Sequence, residues 1–250
     1  MRIILTNDDG YDQPGLLELE KTLGAEHEVW VVAPMYHCSG ISNAIGLYSE
    51  MELKKTGKRK WALDGTPTDC VKMALSELMK NTGPDLLVSG INPGANLANN
   101  VFYSGTVAAA TEAALWNIPA VALSIQVSDP GDEPLFSTAS AVLKRLLDAG
   151  LPSMIPPGTL VNVNVPNTKL REIRGVTWTR MGRFAEDIDF RRLESGRIFA
   201  YKRYKPLPVV DGRGTDVEAL ENFRVSLTLL DSTRTSIQKP PDLGAEILQP

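Results

Sequence analysis

Residues 2–23, RIILTNDDGYDQPGLLELEKTL, read as a strand, a turn and a helix in immediate succession. RIILT (2–6) is a short apolar run without polar alternation, the pattern of a strand covered on both faces. Asn7-Asp8-Asp9-Gly10 is turn chemistry, because Asn and Asp tolerate the left-handed region and Gly supplies it at no steric cost. PGLLELEKTL (14–23) then has helical spacing, with Pro14 suited to a first turn. The same alternation recurs downstream. HEVWVVAP (27–34), DLLVSG (85–90), PAVALS (119–124) and LVNVNVP (160–166) read as further buried strands. TPTDCVKMALSELMK (66–80) reads as a helix with Thr66 as N-cap, Pro67 at N1, Asp69 as the N3 acid, and Cys70, Ala74 and Leu78 on one face. SGTVAAATEAALW (104–116) is an Ala-rich helix that can lie close to a sheet. Strands alternating with helices predict an α/β fold, a Rossmann-like, doubly wound and mostly parallel sheet.

From about residue 170 the texture changes. VTWTRMG (176–182), RIFAYKRY (197–204) and FRVSLTLL (223–230) alternate like antiparallel strands, separated by AEDIDFRRLESG (185–196) and VVDGRGTD (209–216). We therefore expect a core over 1–170 and a C-terminal β-hairpin arm and tail over 171–250. The arm has little apolar area of its own to bury, which suits packing against a partner subunit. Arg180, Arg183, Arg191, Arg192, Arg197, Lys202, Arg203 and Lys205 make it locally basic, with Glu186, Asp187, Asp189 and Glu194 interleaved. That mixture reads either as a solvated, salt-bridged hairpin or as an electrostatic guide for anions. QKPPDLGAEILQP (238–250) is a peripheral, Pro-rich end.

Composition narrows the class. A chain of 250 residues, 43% hydrophobic and 22% charged, is an ordinary globular protein. A net charge of −4 disfavours a general binder of nucleic-acid polymers. Two cysteines are too few for a disulfide framework. Neither a secretory h-region nor an apolar run of the ~18 residues needed for a membrane span is present, so a cytoplasmic setting is expected.

Ligands of open α/β sheets bind beyond the carboxyl ends of the strands. Three loops share that edge: NDDG, MYHCSGISN (35–43) and INPGANLANN (91–100), the last running through VFYSGT into the Ala-rich helix. They gather Asp8, Asp9, Ser39, Asn92, Asn96, Ser104, Gly105 and Thr106 at one rim. Adjacent carboxylates repel, raising a pKa at a cost in stability, unless a cation lies between them. A hard divalent ion, Mg²⁺ or Mn²⁺, prefers such carboxylate, amide and hydroxyl oxygens. His27 and His37 are the chain's two histidines, so no zinc-type cluster is expected. Ser104-Gly105-Thr106 opens a helix, where a Ser or Thr cap is routine; the same N–H groups and dipole also make an anion site, with Gly105 letting an oxyanion approach. Neither GxxxxGK[ST] nor a clean GxGxxG after the first strand is present, which argues against a P-loop nucleotidase of triphosphates and a dinucleotide dehydrogenase. Metal beside a helix N-terminus points to phosphate-ester chemistry.

The blocks RIILTNDDG, VVAP followed by Ser39-Gly40, GTPTDCV (65–71), SGIN-x-G-x-N (89–96), YSGTVAAATEA (103–113) and NVNVP (162–166) together resemble the SurE family of stationary-phase survival proteins. The resemblance runs from residue 1 to about 180. It implies a metal-dependent phosphomonoesterase, a 5′-nucleotidase acting on nucleoside 5′- and 3′-monophosphates and sometimes on short polyphosphate. It implies one metal ion per subunit on Asp8, Asp9, Ser39 and Asn92, phosphate at Asn96 and Ser104–Thr106, and a homodimer or homotetramer formed by an exchanged C-terminal hairpin. Catalysis would rest on Asp8 and Asp9. Leu229 stands where relatives carry proline, and Asp231 about where some carry histidine, in a segment where a proton donor would be sought.

Other readings remain beside this one. His37 is either a solvated loop residue or a leaving-group acid. Cys38 lacks the His/Asp partners of a nucleophile. Tyr103 and Phe102 either stack on a base or pack beside the helix start. A metal-dependent glycosyltransferase would need a second acceptor domain, for which 250 residues leave little room. A non-catalytic nucleotide-binding regulator would make four oxygen ligands and an anion site superfluous.

Overall fold

The computed structural model describes residues 1–127, 131–183, 188–202 and 212–233. Its main body is a nine-stranded sheet. In chain order the strands are β1 (Arg2–Thr6), β2 (Glu28–Pro34), β3 (Leu53–Gly57), β4 (Lys60–Leu63), β5 (Leu86–Pro93), β6 (Ala120–Ile125), β7 (Thr159–Val165), β8 (Val176–Thr179) and β11 (Val225–Asp231). The spatial order is β3-β4-β2-β1-β5-β6-β7-β11-β8. Strands β4, β2, β1, β5, β6 and β7 run parallel to their neighbours, while β3 and β11 are antiparallel to β4 and β7. The chain steps one way from β1 to β2 and returns on the other side of β1 as β5, which opens a crevice at their carboxyl ends.

Alternation along the strands decides the two faces. Ile3 and Leu5 point into one core with Leu16, Leu19 and Leu23 of α1 (Pro14–Gly24) and Val142 and Leu143 of α4 (Phe136–Asp148). Ile4 points the opposite way, with Val32, Leu87 and Leu160, into a second core under α2 (Pro67–Met73) and α3 (Gly105–Leu115). Burying each such Leu or Ile contributes roughly 1.5–3 kcal/mol before chain entropy is counted. Alanines 109, 110, 113 and 114 are fully or almost fully buried, so α3 sits close to the sheet as its composition predicts.

The predicted α/β sheet and the five predicted strands are present, and several details differ. DLLVSG continues to Pro93, because Asn92 and Pro93 still pair with Ser124 and Ile125 of β6 after a register shift at Gly90. The predicted helix 66–80 is α-helical only to Met73 and then widens into a π-helical turn over Ala74–Leu78. Its capping box forms as expected, Thr66 accepting from Asp69 N–H while Asp69 accepts from Thr66 N–H. The β3–β4 hairpin and α4 were not anticipated: the strands are short and one is largely exposed, and α4 is amphipathic without a strong N-cap signal.

The C-terminal third differs more. Val176–Thr179 and Val225–Asp231 are members of the main sheet, paired in parallel with each other, rather than antiparallel strands of an arm. The separate hairpin consists of β9 (Ile188–Arg192) and β10 (Ile198–Lys202), paired antiparallel. β9 thus lies inside the charged stretch expected to be a separator, since a solvated ribbon does not need continuous apolar residues. A short helix, α5 (Asp216–Glu221), leads into β11. Arg203, Lys205, Glu186, Asp187 and the Pro-rich end lie outside the described residues. Among the described residues no helix is long and apolar enough to cross a membrane.

Candidate active site

The β1 loop closes on itself. Asn7 Nδ2 donates to Gly10 O at 2.9 Å and Gly10 N–H donates back to Asn7 Oδ1 at 3.2 Å. β1 ends at Thr6, the chain bends at Asp8 and Asp9 and Gly10 at φ 130° completes the turn, so both acids lie at one rim instead of on opposite strand faces. Asp8 is 3% exposed. The Asp9 side chain is 14% exposed, with His37 Nδ1 3.4 Å from its Oδ1.

Both carboxyls are displaced from their ordinary range. Burial raises Asp8, and the Thr106 hydroxyl, the local backbone N–H groups and His37 pull only partly the other way. Burial and then the neighbouring Asp8 charge raise Asp9 to about 6, against a smaller pull from His37. An acidic pair, one member buried and the other half-buried, with only the exposed His37 beside it, fits a hard cation chemically. No group of three or more His, Cys, Asp or Glu suited to a metal occurs among the described residues. Two carboxylates completed by neutral oxygens are therefore the donor set this rim offers.

Helix α3 meets that pair end-on. Ser104 caps it, its Oγ accepting from Val107 N–H at 3.1 Å. Thr106 Oγ1 donates to Asp8 Oδ1 at 2.5 Å. A Cβ on Gly105 would stand 2.8 Å from Asp8 Cβ and 3.1 Å from its Oδ2. The glycine expected to admit a substrate oxyanion thus admits the chain's own Asp8, which sits over the positive end of α3.

The second loop is pinned from three sides. Cys38 N–H donates to Asp8 O at 2.7 Å, which brings the exposed Ser39 to the rim. Ser42 N–H and Oγ–H donate to the carbonyls of Tyr103 and Phe102 at 3.0 and 2.7 Å. Asp69 accepts from Gly46 N–H at 3.1 Å and from Thr66, whose hydroxyl also donates to Ala44 O at 2.7 Å. Asp69 is therefore both cap and loop anchor. Cys38 has its thiol pushed up by burial, with nearby carboxylates adding to the effect, which is the opposite of nucleophile activation. His37 is 63% exposed in its side chain and still beside Asp9, so it combines the two expected situations.

In the third loop Asn92 is half-buried and turns its amide N–H to Gly94 O at 2.5 Å, leaving its oxygen end for a cation. Asn96 is 8% exposed and held on every side. Its N–H donates to Asn164 Oδ1, its carbonyl accepts from Asn162 and Asn164, and its amide donates to Ser124 Oγ at 3.0 Å. Asn162, Asn164 and Ser124 were not anticipated as site-building residues. NVNVP carried the signal, two amides inside a strand that is otherwise apolar.

Asp231 does not reach this rim. It pairs with Thr159 at the amino end of β7, the edge away from the loops, and accepts from Thr233 N–H and hydroxyl, which hold its carboxyl below the usual range. Within one chain it is no proton donor to this site. Two surface cavities, of about 410 and 320 Å³, lie against Trp178 and Asn222 and against Pro166 and Phe223, away from the acids.

The model of the family described as "Survival protein SurE" matches residues 3–187. The protein named 5′-nucleotidase SurE in Rhodopseudomonas palustris (strain BisA53) is 40% identical over 246 residues, covering 94% of this chain and 95% of that one. Its namesake in Syntrophobacter fumaroxidans is 40% identical over 250 residues, covering 98% of each chain. The crystal structure of the SurE protein from Aquifex aeolicus superposes with a TM-score of 0.81 at 31% identity, covering 94% of this chain and 95% of that one.

Proposed function

The chain belongs to the SurE family, and we propose that it works as a 5′-nucleotidase whose divalent cation is held by Asp8, Asp9, Ser39 and Asn92. It is a phosphomonoesterase acting on nucleoside monophosphates. The observation that carries the site assignment is the buried Asp8–Asp9 pair beside the N-terminus of α3, at the crevice where β1 and β5 diverge. Its two raised carboxyls make a metal-free site electrostatically unsatisfied. A bound Mg²⁺ or Mn²⁺ would neutralise the pair, polarise the phosphoryl group and lower the pKa of a water.

The residues divide the remaining work. Asp8, fixed by Thr106, orients the attacking water and accepts its proton. Ser104 Oγ–H, Gly105 N–H at the first helical position and the second amide N–H of Asn96 hold the phosphoryl oxygens as charge builds. The pinned 35–46 loop keeps Ser39 in place, while His37 beside Asp9 is positioned to return a proton to the leaving oxygen. Tyr103 and Phe102, 56% and 49% exposed, flank the helix start where a base would project.

The hairpin supports the expected oligomer. Phe190, Ile198 and Phe199 are 70%, 57% and 51% exposed on a ribbon separate from the main sheet, so a second copy is the partner that would cover them. A cytoplasmic setting belongs to the same reading, with the β9–β10 ribbon as the arm, since β8 and β11 lie in the main sheet. The deciding experiment is phosphate release from a panel of 5′- and 3′-monophosphates with Mg²⁺, Mn²⁺ or EDTA. Turnover that is absent, or indifferent to EDTA, overturns the assignment.

A further inference from the structure

We propose that Asp216 is a positioning residue that sets the substrate loop from the root of the C-terminal arm; this rests on the assignment of Ser104 and Gly105 to phosphate. Asp216 has no exposed surface. Its carboxylate accepts hydrogen bonds from its own helix and from two other segments. Oδ2 takes Ala98 N–H at 2.9 Å, 118 residues away in sequence, while Oδ1 takes Gly182 N–H at 2.8 Å and Val217 N–H at 2.9 Å.

Each partner has its own reason to need this anchor. Ala98 stands at φ 49°, a left-handed conformation that an alanine rarely holds unaided. It opens the 3₁₀ turn Ala98–Phe102, which delivers the chain through Tyr103 to the Ser104 cap. Gly182 lies where the chain leaves β8 for the hairpin; a Cβ there would meet Asp216 Oδ1 at 3.0 Å and Val217 Cγ2 at 3.1 Å. The arm's root is further closed by Asp216 N–H donating to Arg180 O at 3.0 Å. Leu97, Ala98, Val217 and Leu220 pack into a small core of their own around the junction.

A charged acceptor sharing three backbone donors is stronger than a neutral one, and losing one of them leaves a buried N–H unpaired. The loop conformation is therefore held by a residue of the C-terminal region, and one carboxylate ties Ala98 to Gly182, where the chain leaves β8.

The test uses the full chain carrying Asp216→Asn. Asparagine oxygen at the Oδ1 position keeps the Gly182 and Val217 bonds, while its NH₂ faces Ala98 N–H and breaks that one bond. The expected results are a KM for a nucleoside monophosphate and a Ki for inorganic phosphate each raised about tenfold, with kcat changed less. Amide hydrogen exchange should quicken over 96–103 and stay unchanged in β1 and β5. Adding Ala98→Gly, which takes the left-handed conformation without steric cost, should recover part of the lost affinity. Unchanged KM, Ki and exchange, or uniformly faster exchange with KM unaltered, would overturn the proposal. Were the unmutated chain to release no phosphate from any monophosphate, the functional reading would fall, and the exchange result alone would decide the positioning.

Discussion

Thr106 Oγ1 donates a 2.5 Å hydrogen bond to Asp8 Oδ1, tying the first turn of one helix to an acid in the loop after the first strand. Ninety-eight residues separate the two. The bond fixes the rotamer of the carboxylate that the proposed mechanism turns toward a cation and a water, and it offsets part of the cost of burying that carboxylate.

Thr106→Val keeps the shape and removes that donor. The expected loss in kcat/KM is roughly ten- to a hundredfold, with weaker Mn²⁺ affinity. Steady-state kinetics at several metal concentrations check both. Activity equal to the unmutated chain would show that Asp8 is held adequately without the hydroxyl.

Asp8→Asn should abolish turnover, on the order of 10³-fold or more, while the fold persists. Because burial disfavours the charged form of Asp8, the neutral amide should leave the metal-free melting temperature equal or higher. Phosphate release and thermal unfolding in EDTA measure the two halves of this expectation. A variant that still turns over would remove Asp8 from the mechanism.

Gly105→Ala places a methyl group 2.8 Å from Asp8 Cβ, where backbone must shift. A stability loss of about 1–3 kcal/mol and a larger fractional loss of activity are expected, since the displaced atom belongs to the acid itself. Chemical denaturation beside kinetics separates the two.

The pH dependence follows from Asp9. Its folded pKa, about 6, lies above the ordinary 3.8. The neutral form is thus favoured by folding, and this contribution is complete below about pH 4 and lost as pH rises through about 6. In EDTA at pH 7, Asp9→Asn should therefore be more stable than the parent, by up to roughly 3 kcal/mol, with the gap closing toward pH 4. Saturating Mn²⁺ should reverse the order, because only the carboxylate pair gains from the cation. Urea titrations across pH, with and without metal, read both differences.

Asp69→Ala removes the acceptor for Gly46 N–H and Thr66 N–H and frees the 39–48 loop. KM should rise severalfold with a smaller change in kcat, and the lost cap should cost about 1 kcal/mol of stability. Proteolysis within that loop, faster in the variant, is an independent readout.

The core was legible because its signals are local. RIILT and PAVALS are apolar without alternation, and Thr66-Pro67-Thr68-Asp69 spells a capped helix start within four residues. The β3–β4 hairpin and β9 gave no such signal, since β3 is largely exposed, all these strands are short, and their pairing is decided by what lies alongside. β8 and β11 alternate as strands do, but alternation is the same whichever direction the neighbour runs, so their parallel pairing was not readable.

By itself, then, the chain's order of residues determined an α/β body with Asp8, Asp9, Asn92 and the Ser104 turn on one rim, because strand ends and helix starts are written in neighbouring residues. Tertiary structure alone decided that Asp8 lies over α3, that Asn96 is gripped by Asn162, Asn164 and Ser124, that Asp231 is at the far end of the sheet, and that Asp216 reaches Ala98. Those contacts join segments tens to more than a hundred residues apart. Their partners are chosen by the geometry of the finished sheet, which no local spacing encodes.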